Sequence, residues 1–120
     1  MLWIRSCLLA SLLLAQGFAG SAHAGFVSGM DLLQSCVPAR ADPVFRQKVA
    51  ECRGYVVGVA DTFDCTNALM GFTWQSNSLQ AGQREIVNLV VGWLRSHPEV
   101  LHYEADGLVA AALSEKFPCP

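Results

Sequence analysis

The chain has 120 residues, 8 Lys and Arg against 10 Asp and Glu, and 52% hydrophobic residues. That is room for one small domain behind a leader, with a core modest enough to gain from covalent cross-links. No basic run occurs, which argues against nucleic acid and against an anionic membrane surface as partners.

Residues 1–24 read as a signal peptide. Arg5 forms the positive n-region, Leu8 to Leu14 supplies most of a short apolar run reaching Ala19, and Ala22-His23-Ala24 is a cleavage site with small residues at both key positions. Gln16 and Gly17 interrupt the run, which is too short to anchor the chain. Cys7 lacks the small residues that precede a lipidated cysteine and reads as part of the leader. The expected mature domain, residues 25–120, keeps seven cations against ten anions and has no stretch of 18 consecutive apolar residues. Export to the periplasm without membrane insertion is therefore expected.

The mature chain reads as four helices with no convincing strand. The first covers Asp31 to Cys36, with Ser28 as a candidate N-cap. Pro38 and Pro43 break the helical pattern after Cys36. In the second helix, Asp42 fits the N-cap and Pro43 the first helical position. Phe45, Val49, Cys52, Val56, Val59, Ala60 and Phe63 then form one stripe at the helical period, which predicts a helix to about Leu69. Gly54 and Gly58 share a face of it and predict a close backbone crossing. A polar loop runs from Gly71 to Leu79. Its Trp74 has two readings, a cap folded over the core edge or a contact residue.

Ile86, Leu89, Val90, Trp93 and Leu94 define a third helix from about Gln80 to Ser96, ended by Pro98. Val87 and Val91 widen its stripe, which suits burial on two sides or a dimer face. The fourth runs from about Glu104 to Phe117, with Glu104 and Asp106 at its start and Lys116 at its end, matching the helix dipole. The expected fold is an all-α, disulfide-stapled bundle of about four helices.

Cys36, Cys52, Cys65 and Cys119 are even in number in a short exported chain, so they read as two disulfides, and three connectivities are open. An antiparallel first helix favours Cys36 with Cys52, which leaves Cys65 for Cys119. Zinc ligation would call for close C-x-x-C pairs, and none is present.

Signals for catalysis are weak. There is no phosphate-binding glycine loop, H-E-x-x-H or G-x-S-x-G. Asp61 and Asp64 could share a helix side, but a hydrolytic pair needs a cleft and usually a second element, so no enzyme is expected. His97 and His102 sit at helix boundaries, where capping is the simplest role. No metal or cofactor is expected.

The residues do carry a family resemblance. Asp31-Leu32-Leu33-Gln34-Ser35-Cys36, then C-x-G-Y-x-x-G-x-x-D from Cys52 to Asp61, H-P-E from His97 and the terminal Phe117-Pro118-Cys119 resemble the Rap/Tai immunity proteins associated with type VI secretion. The likeness covers nearly all of the mature chain. One departure is Phe72-Thr73-Trp74-Gln75, where that family commonly has a Cys shortly followed by Pro; Cys65 would then take its place opposite Cys119. The resemblance implies an all-α, non-catalytic periplasmic antidote that binds a secreted toxin, often a peptidoglycan amidase, and blocks its active site. It also implies a homodimer. Toxin contact is then expected in the two helix connections that carry an aromatic: Trp74, Gln75, Ser76 and Asn77 in one, His97, Glu99, His102 and Tyr103 in the other. The rival functions are a periplasmic acid-stress chaperone and an assembly subunit.

Overall fold

A computed structural model of the chain describes residues 27–78 and 82–120. The signal peptide and the expected start of the third helix at Gln80 lie outside the described residues. Among those described, the order is α1 (Gly29–Cys36), α2 (Phe45–Ala60), a 3-10 turn (Ser76–Ser78), α3 (Gln83–Ser96), a 3-10 turn (Pro98–Val100) and α4 (Ala105–Lys116). The fold is all-α; the only β pairing among the described residues is two isolated bridges, Ser28 with Glu104 and Leu69 with Phe72.

Ser28 starts α1 as its sequence position suggests. Its hydroxyl accepts the Asp31 N–H at 3.1 Å, and the Asp31 carboxylate accepts the Ser28 N–H at 3.0 Å, a reciprocal capping box. The Ser28 hydroxyl also donates to the Asp31 carboxylate at 2.7 Å, and that bond, followed by the Ser28 N–H, holds the Asp31 carboxyl below its ordinary pKa. The start of α1 is also tied to the chain before α4, because Gly29 N–H donates to Tyr103 O and Met30 N–H to Leu101 O, both at 2.9 Å. The crossing is close at Gly29, where a Cβ would collide with the Leu108 side chain and the Leu101 backbone.

Helix α2 begins two residues beyond the expected Pro43. Val44 is its N-cap, while Asp42 accepts the Val44 N–H at 3.0 Å and pairs with Lys48 at 2.6 Å. The helix ends at Ala60 and does not reach Leu69. Side chains just past that point capture backbone groups that another turn would need. Thr62 Oγ1 donates to Val59 O at 2.7 Å, and Asp64 Oδ1 accepts from the N–H groups of Thr66 and Asn67 at 2.7 and 2.9 Å. Phe63, 3% exposed, turns into the core between these two captures.

Helix α4 is the most deeply buried of the four and, like each of the others, packs on the remaining three. Ala105, Leu108, Val109, Ala110, Ala112 and Leu113 are buried around its circumference. Its alanines let neighbours approach, and Leu32, Val56, Val90 and Leu94 complete the core from α1, α2 and α3. Gly54 and Gly58 do not mark a crossing within the molecule, since a Cβ at either would meet nothing within 4 Å.

The two disulfides are Cys36–Cys52, with 5.0 Å between Cα atoms, and Cys65–Cys119, with 5.8 Å. The first fastens the end of α1 to the buried face of α2. The second joins the segment after α2 to the chain end beyond α4.

Candidate partner-binding surface

The polar connection after α2 is built around Trp74. Its indole N–H donates to Phe63 O at 2.6 Å, and its ring lies between Phe63 and Phe117, with centroids 5.9 and 6.1 Å away. Only 3% of Trp74 is exposed. The contact role expected for this ring therefore gives way to the core-capping one: a Trp with its N–H satisfied gains more from burial than a loop gains by displaying it. Gln75 N–H donates to Phe117 O at 2.8 Å and ties the connection to the end of α4. Ser76 and Asn77 are exposed. With Asp64, Thr66 and Pro120 they line a depression of about 290 Å³. Asp64 lies below its ordinary carboxylate pKa because Thr66 and Asn67 donate to it. Asp61 and Asp64 do not share a helix side, since both follow the last residue of α2.

The second connection starts at the end of α3. The imidazole of His97 stacks on the indole of Trp93, centroids 3.9 Å apart and planes 17° from parallel. Its Nδ1 lies 2.7 Å from Trp93 O, so with the proton there it donates to a carbonyl of the last helical turn. Trp93 Nε1–H donates in turn to Glu115 at 2.8 Å. Leu89, Gly92, Trp93, His97, Glu115 and Lys116 line a groove of about 400 Å³ between α3 and α4. Trp93 was legible only as part of the core stripe. Its four-residue spacing from His97, which stacks two rings on one helix face, was the available signal for this pair.

From His97 the chain returns along α4 to its first turn. Glu99, His102 and Tyr103 are exposed there, with the His102 and Tyr103 rings 4.1 Å apart. Gln75 is thus anchored just past the last residue of α4, while Tyr103 precedes its first. A helix of that length separates them by about 18 Å, so Gln75 and Tyr103 stand at opposite ends of one helix, with His97 beside its last turn.

A third feature was missed in the sequence. Met70 and Gly71 form a tight turn closed by Leu69 N–H to Phe72 O at 2.9 Å and Phe72 N–H to Leu69 O at 2.8 Å. Both residues have positive φ, 51° and 84°. Gly71 suits that conformation, whereas Met70 is strained in it. The Met70 sulfur rests on α4 at Gly107, and the side chain is 57% exposed. Nearby, the Tyr55 hydroxyl is pushed to higher pKa by burial and then by the negative charge of Asp106.

Among the described residues no group of three or more His, Cys, Asp or Glu stands together to hold a metal ion, and no helix is long and apolar enough to cross a membrane. Fold and surface define a small cross-linked helical domain that displays its helix connections. The family model of the Rap1a immunity proteins matches residues 28–119, and the chain belongs to that family. No curated protein matches it. Membership gives the chain an immunity role and implies a cognate toxin as its partner.

Proposed function

We propose that this chain is a periplasmic antidote to a type VI secretion effector, exported by residues 1–24 and active as the disulfide-bonded domain from residue 25. The family match over residues 28–119 carries the reading. Two disulfides support an oxidising compartment. The effector is a peptidoglycan amidase, and the antidote works by filling its active-site cleft, with no catalytic step of its own. Pinned helix connections lose little entropy on docking, which favours tight binding by a small protein. Two copies associate as a homodimer.

The test is co-expression with the toxin encoded beside this gene, directed to the periplasm. Protected cells, a co-purifying complex and inhibited hydrolysis of isolated cell wall are expected. A toxin that lyses cells regardless, or that forms no complex with the mature chain, overturns the reading.

A further inference from the structure

Three of the most exposed large apolar side chains lie around the first turn of α4. Met70 is 57% exposed with its sulfur on Gly107, Tyr103 is 57% exposed two residues before the helix, and Met30 is 45% exposed on a segment bonded to Leu101. Met70 is held there at a cost, because its φ of 51° is the left-handed conformation that a Met side chain disfavours. The turn itself needs only a residue that tolerates positive φ, and Asn or Gly would close it with less strain. Closure of the turn alone therefore does not call for Met at this position.

The surroundings are acidic. Glu104 is exposed beside Tyr103, and Asp106 lies one residue before Gly107. Neither is in an ion pair; the only one among the described residues joins Lys48 to Asp42. Exposed apolar side chains flanked by carboxylates that no cation pairs with fit a concave apolar site with a basic rim.

We propose that the Met70 turn and Tyr103 are the anchors by which this chain enters the cleft of its cognate toxin, with Glu104 and Asp106 facing Lys or Arg side chains on the cleft rim. The assignment rests on the immunity reading and moves the centre of contact from the Trp74 connection to the first turn of α4.

The experiment compares Met70→Asn, Tyr103→Ala and the double variant Glu104→Gln with Asp106→Asn against the unaltered mature chain, reading thermal stability and toxin binding together. Met70→Asn keeps or raises Tm, because Asn adopts positive φ readily, and weakens toxin binding by about tenfold or more. Tyr103→Ala weakens it similarly. The charge-neutral variant slows association at low salt and flattens its salt dependence. A Met70→Asn protein that is folded and binds toxin with unaltered affinity overturns the surface while leaving the immunity reading intact. Variants that dissociate a dimer of this chain at unchanged toxin affinity also overturn it, by assigning the patch to a second copy. An unaltered chain that binds no toxin overturns both.

Discussion

Trp74 satisfies three demands of the segment between α2 and α3. It donates to a backbone carbonyl, fills the gap between two phenylalanines and carries the chain to Gln75, which bonds back to Phe117. Replacing it with Phe keeps most of the apolar contact but leaves Phe63 O without its donor, a loss of about 1–3 kcal/mol. Replacing it with Ala removes the ring as well and costs about 3–5 kcal/mol. Urea denaturation of the oxidised protein measures both, and a Trp74→Ala protein within about 1 kcal/mol of the parent would remove Trp74 from this role. The sequence narrowed Trp74 to two places but could not choose between them. The choice depends on Phe117, 43 residues further on in the numbering, being brought to the same spot.

At the level of elements, each apolar stripe read from the sequence became a helix, because a 3.6-residue period needs no knowledge of neighbours. Helix ends were less legible. The periodicity of α2 continued through Phe63, yet Thr62, Asp64, Thr66 and Asn67 captured the local backbone donors and acceptors and stopped it at Ala60. Glycines divided in the same way. A close crossing exists, at Gly29 and not at Gly54 or Gly58, because which helix face meets a neighbour is settled by packing. Ala at position 54 or 58 has open space and a better helix propensity, so each substitution raises stability by about 0.5–1 kcal/mol. Gly29→Ala forces Leu108 and the Leu101 backbone apart and lowers stability. Thermal melts of the three variants give the order; equal effects at positions 29 and 58 would contradict the packing described.

Across the molecule, the disulfides set the stability scale. Cys36–Cys52 closes 16 residues and Cys65–Cys119 closes 54. Loop entropy in the unfolded chain makes them worth on the order of 3 and 4 kcal/mol. A small domain has little more than that to lose. The Cys65→Ser, Cys119→Ser pair should therefore be the less stable of the two double-serine variants by about 1 kcal/mol in denaturant melts. A reversed order would show that strain or residual structure outweighs loop length. The pairing follows the antiparallel arrangement that the sequence suggests, although α2 ends at Ala60. It holds because α1 folds back on α2, while the shortened α2 leaves Cys65 free to turn toward the chain end.

The cysteine count, the helical stripes, the capping residues and the family motifs determined an all-α, cross-linked immunity protein, since each is a local or compositional property that survives without coordinates. Only the tertiary structure decided that Trp74 is inside, that α4 is the most deeply buried helix, and that Met70 and Tyr103 stand at its first turn. Those outcomes depend on which distant residues meet, and burial selects among them only when all four helices are packed together.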